Sequence, residues 1–166
     1  MSGYWRRSLF IGGAFGLAVT HLSLVGLVAA LNDRELVAGL VSVGSIISVI
    51  FALAAGYLAG GPRRKGLPAL RPLIAIASGA VAGLVVGIMV AALAWLIDAF
   101  NPRDVLINAS PKLVLVLHWG QDVTVGNVIN VVGGALMGAL GAGCASCRRT
   151  SAVGPSPAWP AYWGWR

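Results

Sequence analysis

Apolar residues fill four long stretches of the chain, roughly 8–31, 36–60, 72–99 and 124–145, and none of them carries the charged stripe of a helix lying on a soluble core. A helix needs about 20 apolar residues to cross a hydrocarbon layer of about 30 Å, and each stretch meets that length. The third is the longest. At about 1.5 Å per residue it would measure about 42 Å, so it is expected to tilt or to reach into the headgroup layer. The expected fold is an all-α integral membrane protein: a four-helix transmembrane domain over residues 1–150 and a Pro/Trp-rich cytoplasmic tail over 151–166.

Within each stretch the residue at every fourth position is small or short and polar. The strips read Ser8, Gly12, Gly16, Thr20; Gly44, Ser48, Ala52, Gly56, Gly60; Ala75, Gly79, Gly83, Gly87, Ala91; and Gly126, Asn130, Gly134, Gly138, Ala142. Small residues one turn apart let helix backbones approach closely, and in lipid that approach drives helix association where a hydrophobic effect cannot. A chain with 23 glycines produces some such spacings by chance. One strip in every stretch points instead to a close-packed bundle, without a wide aqueous pore through the monomer.

Composition agrees with a bilayer. The chain is 58% hydrophobic and 10% charged, with a mean hydropathy of +0.85, too little polar surface to wrap a soluble globule of 166 residues. The net charge of +7 could suggest nucleic acid, but its distribution argues for membrane orientation. Nine of the twelve Lys/Arg residues (Arg6, Arg7, Arg63, Arg64, Lys65, Arg71, Arg148, Arg149, Arg166) fall on one side of a four-span path. The other side holds Arg34, Arg103 and Lys112 with every acidic residue, Asp33, Glu35, Asp98, Asp104 and Asp122. By the positive-inside rule both termini are expected in the cytoplasm of a cell whose plasma, or inner, membrane carries the protein. The first apolar run exceeds a signal-peptide core, so a retained signal-anchor helix is expected.

The connections are of three kinds. Asn32-Asp33-Arg34-Glu35 predicts a tight antiparallel hairpin between the first two helices. The loop Gly60 to Pro68, with Arg63, Arg64 and Lys65, reads as a topology anchor among anionic headgroups or as a docking site for a cytoplasmic partner. An outer loop, 100–123, is opened by Asn101-Pro102; Ser110-Pro111 predicts a short helix over 111–119, lying at the interface or re-entering the membrane. The tail, with Trp159, Trp163 and Trp165 among prolines, is expected to lie along the membrane face or to fill a partner's groove.

Few residues suggest chemistry. His21, in the first span, and Asn127 and Asn130, a turn apart on the fourth, are intramembrane polar groups, expected to hydrogen-bond between helices rather than to relay protons. Cys144 and Cys147 stand three apart beside Arg148 and Arg149. They are a possible thiol pair for redox, metal or acylation chemistry, or simply small residues ending a helix in a reducing compartment. A zinc site would need further ligands, and c-type haem would need His where Arg148 stands. His118 and Asp122 are split by Gly120, which breaks the single face a metal pair requires. Asn108-Ala109-Ser110 fits an N-glycosylation acceptor, a pattern common by chance. No catalytic residue, metal ligand set or cofactor-binding residue is identified.

The stretch from Asn101-Pro102-Arg103 through Ser110-Pro111-Lys112-Leu113, with Gly126-Asn127 opening the next helix, resembles membrane segments that accompany bacterial branched-chain amino acid ABC permeases. The resemblance covers the second half of the chain and implies a permease-associated role with an ATPase partner in the cytoplasm. The expected function is therefore a non-enzymatic packing or accessory subunit of a membrane transport complex. Its expected partners are the lipid bilayer and other membrane subunits or copies of itself, with no nucleic acid and no cofactor. The alternatives are a self-sufficient homo-oligomeric channel or small-solute carrier, and a thiol redox or metal-handling membrane protein.

Overall fold

Pro72, which lacks the N–H that a first helical turn leaves unused anyway, starts a helix that carries no charged residue before Asp98, just short of Asn101-Pro102. In the computed structural model that helix runs Pro72–Ala99, 28 residues, and organises the other three. The structure describes residues 2–25, 35–37, 41–61, 72–100, 117–119 and 121–152. In chain order its elements are α1 (Ser2–Leu24), a two-stranded antiparallel ribbon of β1 (Glu35–Val37) and β2 (Val41–Ser42), α2 (Val43–Gly60), α3 (Pro72–Ala99) and α4 (Val123–Ala152). Three of the helices are long and apolar enough to cross a membrane, over Gly3–Leu24, Pro72–Ala99 and Val123–Cys147. They mark a membrane-embedded, helical protein.

The element boundaries differ from the sequence expectation at three places. α1 begins at Ser2 rather than near residue 8, because nothing in Tyr4-Trp5-Arg6-Arg7 stops a helix. The second helix begins at Val43 rather than 36. The residues before it are β-branched Val37 and Val41 around Gly39, a composition that favours extended backbone, and Glu35 pairs with Ser42 in the ribbon. The apolar part of α2 is therefore only Ser45–Gly60. α4 continues through Ala152, past 145, since no breaker intervenes before Gly154-Pro155. Of the short helix expected over 111–119, residues 111–116 lie outside the described residues; Leu117 is helical, and the chain turns at His118 and Trp119. The basic loop, the tail and most of the outer loop also lie outside them.

Neighbour pairs fix the direction of each helix. The Arg7 guanidinium donates to the Leu58 carbonyl (2.8 Å), and the Phe15 and Phe51 rings meet edge to face at 5.9 Å, so α1 and α2 are antiparallel. The Ser78 hydroxyl donates to the Ala59 carbonyl at 3.2 Å, pairing the start of α3 with the end of α2. Gly56 faces Gly138 and Gly60 faces Ala142, so α2 and α4 run in parallel; Gly12 faces Ala82 and Gly16 faces Met89, so α1 and α3 do too. The bundle is up-down-up-down, with α3 touching every other helix and α4 packed on α2 and α3. Arg6, Arg7, the ends of α2 and α4, and the start of α3 share one end, called here the basic end; Asp98 and Asp122 lie at the opposite, acidic end.

Side-chain size is distributed the reverse of a soluble core. The interior is alanine, glycine, serine and valine, with Ala55, Ala82 and Ala94 fully buried. Large apolar residues point outward: Leu73 is 80% exposed, Phe10 79% and Trp95 61%. Water would penalise that surface, whereas lipid tails solvate it, and small inner residues give the backbone proximity on which helix association in lipid depends.

Candidate functional site

At the acidic end α4 begins with its own cap: the Thr124 amide donates to Asp122 Oδ2 at 3.2 Å, covering one of the unpaired N–H groups of the first turn. One turn later Gly126 leaves room for the incoming chain. A Cβ there would sit 2.6 Å from His118 Cα, so only glycine admits the His118 backbone at this spot. Leu117 and His118 are buried as a result.

Trp119 follows with φ 56°, a left-handed conformation that costs a non-glycine residue about 1 kcal/mol. Asn130 offsets that cost by bridging the turn. Its Oδ1 accepts from the Trp119 indole N–H at 2.8 Å, and its Nδ2 donates to the Leu117 carbonyl at 2.8 Å. Both ends of a buried intramembrane amide are thereby satisfied by one loop.

Below this latch lies a cavity of about 220 Å³ between α2, α3 and α4. Its walls are Ser48, Val49 and Ala52 from α2, Val86, Gly87 and Val90 from α3, and Ile129, Asn130, Gly133, Gly134 and Met137 from α4, with Trp119 beside the loop. A second recess, of about 190 Å³, lies between the starts of α1 and α3 at the basic end. Three buried polar atoms have no hydrogen-bond partner among the described residues: Thr20 Oγ1, His118 Nε2 and Asn127 Oδ1. Each can still take up a hydrogen bond, but no three metal-ligating side chains come together among the described residues.

The polar residues singled out in the sequence fall in different places. Asn130 is the latch, and Asn127 is half-buried one turn before it. His21 lies in the last turn of α1 and is exposed. It is not brought to Asn130, whose amide is engaged by the turn. Asp122 caps α4 and is exposed while His118 is buried, so these two do not present a common face.

Several glycines of the strips lie at helix contacts. A Cβ on Gly83 would meet the Gly134 carbonyl, and one on Gly138 the Gly79 carbonyl; one on Gly87 would meet the Asn130 carbonyl, and one on Gly12 would lie 2.6 Å from the Ala82 carbonyl. Gly16 lies on Met89 and Gly56 on Gly138, while Ser48 and Ala52 line the cavity. Sequence reasoning missed Gly141, which packs on Leu53, and the pairing of Trp119 with Asn130. The second had a signal, since an intramembrane amide needs partners and an indole N–H stood unassigned in the adjoining loop.

Cys144 and Cys147 are exposed thiols on the α4 surface near the basic end. Ser146, between them, donates back to the Ala142 carbonyl at 3.0 Å, and Ala145 is buried. Serine, small and polar, fits both exposed positions on this helix end. Changing both to serine is expected to leave the melting temperature and the oligomeric state unchanged. Loss of bound metal or of a redox-dependent activity in that variant, by metal analysis and thiol titration, would instead assign chemistry to the pair.

No protein family matches the chain, and neither a characterised protein nor a solved structure does so. The class defined by fold and site is that of a small membrane-embedded helical bundle, latched at its acidic end.

Proposed function

We propose that the chain is a non-enzymatic, four-span protein of the plasma (inner) membrane, with both termini cytoplasmic, that serves as a packing or accessory subunit of a larger membrane transport complex. α2 is the fourth span. Its Ser45–Gly60 segment measures about 24 Å, and Val43 and Gly44 extend it toward the width of the hydrocarbon layer. The basic end faces the cytoplasm because it gathers the arginines and lysines.

The carrying observation is how the interior is filled. Backbone meets backbone at Gly83 and Gly134, at Gly79 and Gly138, and at Gly56 and Gly138, and no charged side chain is buried among the described residues. Such a core supports a packing role rather than a polar conduit or catalysis. Its contribution is shape, offered to partners through a wide apolar exterior. The resemblance of residues 101–127 to permease-associated segments makes an ATP-driven transporter the assembly of first choice.

Purification from native membranes in mild detergent, followed by mass measurement, tests this. Co-elution with other membrane chains in fixed stoichiometry is expected. A homo-oligomer that conducts ions or solute after reconstitution alone would replace this reading with that of a channel or carrier.

A further inference from the structure

We propose that the cavity beneath Trp119 is a lipid site, occupied by one acyl chain of a phospholipid from the leaflet at the acidic end. The inference rests on the membrane reading above and adds a ligand to it. The cavity is built from the packing itself: α2, α3 and α4 each supply a wall, and parts of those walls are backbone at Gly87, Gly133 and Gly134. At those glycines its shape is set by helix positions.

The chemistry of the walls selects an apolar occupant. Asn130 has its Oδ1 committed to the Trp119 indole and its Nδ2 to the Leu117 carbonyl, so the latch consumes the main polar group on the lining. Ser48 is the one other polar aliphatic side chain there among the described residues. A water needs two to four polar partners to stay in such a space, and a polar solute needs as many. An apolar void of about 220 Å³ left empty would forfeit the dispersion contacts of every residue around it.

Access selects the source. Ile129 lines the cavity and is 37% exposed, and a Cβ on Gly133 would have nothing within 4 Å. The cavity therefore opens sideways on α4, beside exposed Val125, Val128 and Val132, where the surroundings are lipid tails and not water. Trp119 stands at the loop end, the level at which indoles meet headgroups. A chain from that leaflet can slide in below it with its headgroup left at the interface.

The test uses the full-length protein in vesicles of phosphatidylethanolamine and phosphatidylglycerol doped with a phospholipid bearing a diazirine midway along one chain. After irradiation, adducts are mapped by peptide mass spectrometry. Adducts on Met137 and Val90 are expected in addition to those on the outward-facing Leu136 and Leu140. Gly133→Phe places a ring in the cavity and should abolish the first set while keeping the second. Gly143→Phe adds the same ring to α4 where a Cβ also meets nothing within 4 Å, away from the cavity, and should keep both. Gly133→Leu, a smaller filler, covers the case in which the phenylalanine variant does not fold.

Labelling of Leu136 and Leu140 without Met137 or Val90 in the wild-type protein would overturn the proposal, as would undiminished Met137 labelling in a folded Gly133 variant. Retention of a free fatty acid or a detergent in place of phospholipid, seen by native mass spectrometry, would also overturn it. Absence of labelling everywhere would overturn it together with the membrane reading on which it rests.

Discussion

Gly83→Leu is expected to unfold the detergent-solubilised protein at a temperature lower by on the order of 5 °C or more, or to dissociate its complex, whereas Gly143→Leu leaves both unchanged. The two positions are both glycines in helix interiors, so the intrinsic gain in helix propensity on replacing glycine is the same for each. What differs is the space. A Cβ at Gly83 would strike the Gly134 carbonyl and lie 2.8 Å from Gly138 Cα, atoms of backbone that no rotamer change can move aside. At Gly143 it would meet nothing within 4 Å.

Overpacking of a core costs about 1–3 kcal/mol, and here the displaced partners are helices held together in lipid by contact alone. Lipid solvates separated helices as well as it solvates joined ones, so little opposes their parting. A melting curve for each variant, read by light scattering or intrinsic fluorescence, decides the matter. Equal tolerance of both changes would mean that the close approach of α3 and α4 is incidental to stability.

This contrast also shows where sequence reasoning stops. The four-residue spacing singles out Gly83, Gly134 and Gly138, and in the structure these lie where α3 and α4 meet. It cannot separate Gly133 from Gly134. They are neighbours in sequence and both line the cavity, yet a Cβ on Gly133 would meet nothing within 4 Å while one on Gly134 would lie 2.6 Å from the Gly83 carbonyl, a difference set by helix rotation against two partners at once.

The limits of α3 were legible because Pro72 and Asn101-Pro102 are local stop and start chemistry. The start of α2 was not, because apolar Val37 and Val41 continue the hydrophobic run whether the backbone is helical or extended. Asn130 was legible as a polar group in need of partners. Its partners were not, since the turn that brings Trp119 to it depends on Gly126 admitting the His118 backbone.

The second large effect is all-or-none and concerns the path of the chain. An up-down-up-down bundle puts Ser2 at the end opposite Gln121, which is exposed just before α4, and α4 returns by Ala152 to the Ser2 end. The proposed topology places that end in the cytoplasm by the positive-inside rule, with nine Lys/Arg residues against three on the other side of a four-span path. α2 is the element on which this depends. If Ser45–Gly60 did not cross, the third and fourth helices would be inverted relative to the first, and the basic loop after Gly60 would lie outside.

Single cysteines at Ser2, Gln121 and Ser156, introduced in a Cys144→Ser/Cys147→Ser background and probed on intact cells with a membrane-impermeant maleimide, test the account most directly. Labelling of Gln121→Cys alone, with Ser2→Cys and Ser156→Cys reacting only after the membrane is opened, is the predicted result. Labelling of Ser156→Cys from outside, or protection of Gln121→Cys, would contradict it.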